Sequence, residues 1–239
     1  MRALSLADCL ALWESGQALH PLDQGLLAIQ TVLPEARNAN VADWPLGRRN
    51  RALAELRCDA FGRWIKGWAA CEQCGEKLEF SVDGEALRTN ATPDATTAIH
   101  VGENAFRLPT SRDLANLSDE TDPSAAALRL LQLCALPKSS ADAGRLPEWT
   151  EWEVDAVSER MAEADPLADI LLHFDCPACA HSFEHSLDLA SFLWAEIEGR
   201  AQRLMLDVHT LASAYGWSEA EILRLSDARR DFYLEMVHA

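Results

Sequence analysis

Residues 71–83 read CEQCGEKLEFSVD, and the fold turns on this stretch. Cys71 and Cys74 stand three apart and Gly75 follows at once. Lys77–Asp83 then alternates strictly, with Leu78, Phe80 and Val82 on one face of a short strand that stops at Gly84. Two thiolates at that spacing in a tight turn point at one ion, and the glycine gives the backbone room to turn. The arrangement returns at Cys176-Pro177-Ala178-Cys179, entered from an apolar strand at Ile170–Phe174 and followed by HSFEHSL, residues 181–187. Two such knuckles describe a zinc ribbon, four sulfurs closing a tetrahedron at Zn–S distances of about 2.3 Å. Cys71, Cys74, Cys176 and Cys179 are the expected ligands of one structural Zn²⁺.

The pairs are about a hundred residues apart, against roughly 15–20 in a compact Cys₄ module. The intervening chain must therefore leave the ribbon and return to it, as an insertion over about 88–168. A thioredoxin-like use of either pair is disfavoured, because such a motif sits at a helix N-terminus and Cys74 is followed by a strand pattern. His173 and His181 flank the second pair and could replace a cysteine ligand, but four thiols already fill a tetrahedron. Cys9, Cys58 and Cys134 stand alone on helical segments, where a free cysteine serves as a small apolar residue.

Outward from the knuckles the pattern is helical. Residues 3–32 carry two apolar stripes separated at Pro21, and Pro34 closes the segment. Pro45-Leu46-Gly47 reads as a turn after Trp44. Arg48–Trp68 then places Leu53, Leu56, Phe61, Ile65 and Trp68 at helical spacing. Within the insertion, 88–105 is polar, with Ile99-His100-Val101 as a short strand, and Phe106–Thr110 is extended. Thr110 or Ser111 caps a helix reaching Leu117, and Asp122-Pro123 opens another that Pro137 ends. Residues 138–148 read as a loop, and a helix follows from Glu151 to Asp165. The last third is the clearest: Leu189, Leu193, Ile197, Ala201, Leu204, Val208 and Leu211 form the stripe of one long helix, stopped by Gly216. Ser218 and Glu221 have capping-box spacing for a short helix bearing Ile222, and Arg229–Val237 makes the last one.

The chain has 239 residues, 38 acidic against 21 basic, and a formal net charge of −17. Such a surface repels phosphate backbones and argues against nucleic acid and anionic membranes as partners, while suiting a basic protein surface. The opening MRALSLADCLALWESGQALH does not read as a signal peptide, since Asp8, Cys9, Trp13 and Glu14 break its apolar run. With no membrane-length apolar stretch, a cytoplasmic protein is expected. The sequence holds no nucleophile elbow, phosphate loop, HExxH or dinucleotide fingerprint, and four filled ligand positions leave no open site for a zinc-bound water. A non-enzymatic role follows. Arg48-Arg49 and Arg229-Arg230 are too short for a nucleic-acid footprint and read as ion-pair or interface residues. Of the eight tryptophans most should pack the core, and some could anchor a protein interface.

Several stretches carry a resemblance. DVHTLASAYGWSEAEIL, residues 207–223, with Arg229-Arg230 and Tyr233-Leu234 beyond it, is similar to the C-terminal region of small proteins encoded with contractile phage-tail-like particles. These include proteins of extracellular contractile injection systems and baseplate hub assembly proteins of contractile-tailed phages. WPLGRRN, residues 44–50, resembles that group's LPLGRRD stretch with Asn50 in place of Asp, and Phe61-Gly62, the first knuckle and FRLPT at 106–110 fit as well. A proline usual after the first cysteine is Glu72 here. The resemblance implies a non-catalytic part in building a contractile tail, cytoplasmic or incorporated into a tail-like particle, whose partners are protein components of baseplate, tube or hub. The Tyr215-Gly216-Trp217 turn with Ile222 and Tyr233 is the contact expected on that reading. The alternative class is a zinc-ribbon adaptor between proteins of a transcription or other nucleic-acid complex.

The expected architecture is α+β and mainly helical. An N-terminal helical region spans 1–70, a zinc-ribbon-like region with its helical insertion 71–188, and a C-terminal helical unit 189–239.

Overall fold

The computed structural model describes residues 3–33, 40–89, 97–137 and 149–238. Pro34, residues 90–96 of the polar run and the loop at 138–148 lie outside them. The chain is α+β and mainly helical, with short antiparallel sheets.

The body is built from α1 (Leu6–Gly16), α2 (Pro21–Val32), α3 (Leu46–Phe61) and the first half of α8 (Leu189–Tyr215). Ser5 and Asp8 close a capping box at the start of α1, and Pro21 occupies the first turn of α2, where a missing N–H costs nothing. Leu12, Ile29, Val32, Leu53, Leu56, Leu193 and Ile197 meet in the main core. Arg57 ties α3 to α8 with a two-pronged contact to Glu196, Nε–Oε2 2.9 Å and Nη2–Oε1 2.7 Å.

Helix α3 differs from the sequence expectation at both ends. Leu46 and Gly47 belong to its first turn instead of a preceding turn. It stops at Gly62, whose φ of 93° is a left-handed conformation that glycine tolerates. Residues Trp64–Ala70 form strand β1, paired antiparallel with β2 (Lys77–Asp83) in the register Ile65↔Val82 and Trp68↔Glu79. The helical reading through Trp68 fails at Ile65 and Trp68, which three apart share a helix face but cannot share a strand face. The structure puts them on opposite faces, Ile65 inward and Trp68 out, as a strand must.

After α4 (Gly84–Thr89) the insertion holds a small sheet of β3 (Ala98–Val101), β4 (Asn104–Arg107) and β5 (Ala135–Leu136), with α5 (Ser111–Ala115), α6 (Pro123–Cys134) and α7 (Glu151–Ala164). It closes a second core of its own, Ile99, Phe106, Leu108, Leu131, Cys134, Val157 and Met161. Asp113 caps this unit together with Thr110. Burial pushes its carboxyl up, but the Arg107 fork at 2.6 and 2.7 Å and the Thr110 hydroxyl and N–H outweigh that, holding it below the ordinary carboxylate range.

Polar bonds clip the two cores together at the start of α3. Pro45 offers no side-chain cap, so the helix's free N–H groups are satisfied from the insertion. Leu46 N–H donates to the Pro109 carbonyl at 3.0 Å and Gly47 N–H to Asp165 Oδ2 at 2.8 Å. Arg49 Nη1 donates to Ser111 Oγ, and Asn50 Nδ2 to the Leu167 carbonyl at 2.7 Å. The WPLGRRN and FRLPT stretches thus lie against each other, joined also by a bridge between Pro45 and Thr110.

Strands β6 (Leu171–Asp175) and β7 (Ser182–Ser186) form a second hairpin, and α8 leaves directly from it. Gly216, at φ 72°, ends α8. Ser218 and Glu221 form the expected capping box of α9 (Glu219–Leu223), and α10 (Asp227–His238) packs back along α8. No helix among the described residues is long and apolar enough to cross a membrane.

Candidate metal centre

The two hairpins remain separate two-stranded sheets, and each carries one cysteine pair at its tip. They meet tip to tip. Cys71 Sγ lies 3.7 Å from Cys179 Sγ and Cys74 Sγ 3.5 Å from Cys176 Sγ, and all four sulfurs fall within 4.8 Å of one another. A sulfur tetrahedron around a zinc-sized ion has edges of about 3.8 Å, whereas a disulfide needs about 2.05 Å. The spacing is that of a four-thiolate metal site. The expected cysteines are therefore brought together across 102 positions, and the four could hold one metal ion.

The knuckles repeat each other bond for bond. Cys71 N–H donates to the Glu76 carbonyl and Gly75 N–H to the Cys71 carbonyl; Cys176 N–H donates to His181 and Ala180 N–H to Cys176 in the same pattern, all at 2.8–2.9 Å. The residue after the second cysteine is left-handed in both, Gly75 at φ 75° and Ala180 at φ 58°. Ala180 is the only non-glycine with positive φ among the described residues. An L-residue in that conformation is strained by about 1–2 kcal/mol. Ala180→Gly is expected to raise the unfolding free energy of the metal-loaded protein by about 0.5 kcal/mol, strain relief less the added freedom of the unfolded chain. Gly75→Ala should lower it by about 1 kcal/mol. Denaturation midpoints moving the opposite way for the two changes would remove the equivalence of the knuckles.

The backbone also prepares the thiols. Burial opposes ionisation of Cys71 and Cys176, but the N–H groups two and three residues on outweigh it: Cys71 falls below its ordinary range and Cys176 to about 7. Cys74 and Cys179 each accept one N–H, from Glu76 and His181, yet the neighbouring thiols hold a proton on them, raising Cys74 and pushing Cys179 up to about 12. Without a cation the four thiols do not all ionise in the neutral range. A cation at its centre would remove that conflict and take all four as thiolates.

Neither histidine joins the set. His173 projects outward on β6, 3.0 Å from Glu184, and His181 stacks on Phe183 at 6.2 Å between ring centroids. Phe183 stacks in turn on Phe174, and these rings with Ala69 and Leu78 wall the cysteines on the inner side. Cys71 and Cys176 are buried, Cys74 is exposed and Cys179 half-buried. Cys9, Cys58 and Cys134 are buried outside the cluster, each burial raising its thiol.

The aromatic residues expected at a partner surface divide. Tyr215 and Trp217 stack at 4.7 Å, and Tyr233 meets Trp217 edge-on at 4.9 Å, forming a partly exposed cluster at the joint of α8 and α10. Ile222 is fully buried, so its place is in the packing of α9 and not on a contact surface. Sequence reading missed two other exposed rings. Trp64 and Trp68, 51% and 57% exposed, lie on the outer face of β1 with Arg63 and Lys77 over them. Their i,i+4 spacing imitates a helix face, which hid them. Asp165 was missed as well; the one signal was a glycine in the first turn of a helix whose N-cap is proline.

No family model, no curated protein and no solved structure matches this chain.

Proposed function

We propose that the chain is a non-catalytic structural or assembly protein of a contractile phage-tail-like injection system, associated with the baseplate and stabilised by structural zinc. The observation that carries the docking part is the cluster of Tyr215, Trp217 and Tyr233, with Phe232 beside it and 60% exposed, at the end of a long helix. Large aromatic rings left partly in water, beyond what the core needs, mark protein contact surfaces. The resemblance of residues 207–223 to tail-assembly proteins falls on this same joint and supplies the kind of partner. Four thiolates in a tetrahedron favour zinc over harder ions, which prefer oxygen ligands.

Trp217→Ala tests the reading. Trp217 is half-buried, so the variant is expected to stay folded and lose about 1–2 kcal/mol of stability. Co-expressed with baseplate, tube and hub proteins of a contractile system encoded beside it, the wild-type chain should co-purify with one of them, and the variant should not. Particles assembling normally with the variant, or no tail component binding the wild type, would overturn the assignment. Binding to a transcription complex instead would establish the adaptor class.

A further inference from the structure

Between α8 and α10 lies an open cavity of about 510 Å³, lined by Phe61, Arg200, Arg203, Leu206, Asp207 and Arg230 among others. Two unmet demands meet there. The Arg230 side chain is 7% exposed; Nε donates to Asp207 at 3.0 Å and Nη2 to Asp227 at 2.9 Å, but Nη1 has no hydrogen-bond partner. A shielded guanidinium N–H without an acceptor is costly, so its persistence calls for a missing partner. Beside it Leu206 is 65% exposed, and Phe61 adds an aromatic wall.

The three arginines and three aspartates of the lining balance in formal charge, so the unused arginine donors set the sign of that partner. Asp207 and Asp227 are taken by Arg230, and Arg200 donates to the Ala60 carbonyl with its Nη2 3.8 Å from Asp227. Arg203 is exposed and in no ion pair among the described residues; Asp231 on the rim is likewise unpaired. The arginines retain more unused N–H groups than the site has free carboxylates, while the three aspartates disfavour a doubly charged phosphate. A planar, singly charged acceptor matches a guanidinium fork.

We infer that this cavity is a carboxylate-binding site, taking a carboxylate on Arg230, Arg200 and Arg203 with the apolar group attached to it against Phe61 and Leu206. The source that meets both demands is the C-terminal end of a protein chain with an apolar last residue. Nη1 is shielded from the cavity in the unliganded chain, so seating a carboxylate on it requires the side chains over it to move. The inference rests on the docking reading for its biological partner, and its test is independent of that reading.

The full-length, zinc-loaded chain is titrated with N-acetylphenylalanine, and arginine Nε–Hε signals are followed by NMR. Saturable shifts at Arg230 and Arg200 are expected with a dissociation constant on the order of 1 mM, and binding of N-acetylphenylalaninamide should be at least about ten-fold weaker. Arg203→Gln, on the exposed rim, should weaken the acid about five-fold and leave the amide unchanged. Tripeptides ending in phenylalanine that bind more tightly than the single residue identify a chain terminus as the source. Equal or weaker peptide binding overturns that source, since the site then takes only small acids. Shifts that stay linear to about 20 mM, equal effects of acid and amide, or phosphate binding as well as the acid would overturn the site itself. A failed titration leaves tail-protein co-purification untouched, and failed co-purification leaves the titration untouched.

Discussion

Cys176→Ser is expected to strip the chain of its metal, and with it to loosen both cysteine hairpins at once. The wild-type protein should carry one zinc per chain by elemental analysis, with four thiols that react only after chelation. The variant should hold at least about ten-fold less, because three thiolates and a hydroxyl no longer close the tetrahedron. Loss of a structural zinc removes stabilisation on the order of several kcal/mol, so the melting temperature should fall on chelation and recover when zinc is returned. The structure specifies where the loosening goes. The cluster around the cysteines is small, while the body and the insertion each have a separate apolar core. Hydrogen exchange should therefore rise first at Cys71 and Cys176 N–H, which close the two knuckles onto Glu76 and His181, and less within the helices. Protection lost at one knuckle alone, or zinc unaffected by Cys176→Ser, would sink the four-thiolate site.

Gly47→Ala is expected to be among the most damaging single changes available, about 3 kcal/mol or more. A Cβ at position 47 would run into the Asp165 carboxylate, which is itself buried and held by Gly47 N–H. Neither side can yield without breaking the clip between the body and the insertion. In the variant with Asp165→Ala added, the penalty should shrink well below the sum of the two single losses, a coupling that a double-mutant cycle reads directly. Asp165 also sets a pH dependence. Burial, opposed by the Gly47 N–H, raises its carboxyl above the ordinary range, and its Oδ1 has no partner. The folded state therefore binds the proton more tightly than the unfolded chain. This group's contribution is most favourable below its unfolded value of about 4 and declines as pH rises through its folded value. Asp165→Asn, uncharged throughout, should remove that decline, so its stability relative to wild type should climb with pH across the window. A constant difference would show that Asp165 does not titrate there.

Local chemistry was legible in the residues themselves. The CxxC pairs, the alternation after Cys74, the Asp122-Pro123 and Ser218–Glu221 helix starts and the stripe of α8 each depend on neighbours within a turn or two, where spacing alone decides geometry. The stretch from Trp64 to Trp68 shows the limit. Its apolar spacing from Ile65 to Trp68 satisfied the helical period, and β1 exists because pairing with β2 and burial of Ile65 against the body outweigh local propensity.

The sequence by itself determined the four cysteines that could hold a metal and the mainly helical class, because thiol spacing and helical period are written in contiguous residues. The tertiary structure alone decided that the knuckles sit on two separate hairpins and that the insertion builds its own core. It alone supplied a buried carboxylate 118 positions away as the cap α3 lacks, and turned Ile222 inward while leaving Trp64 and Trp68 in water. These outcomes depend on which distant surfaces exclude water from each other. That is a property of the packed chain, and no local pattern carries it.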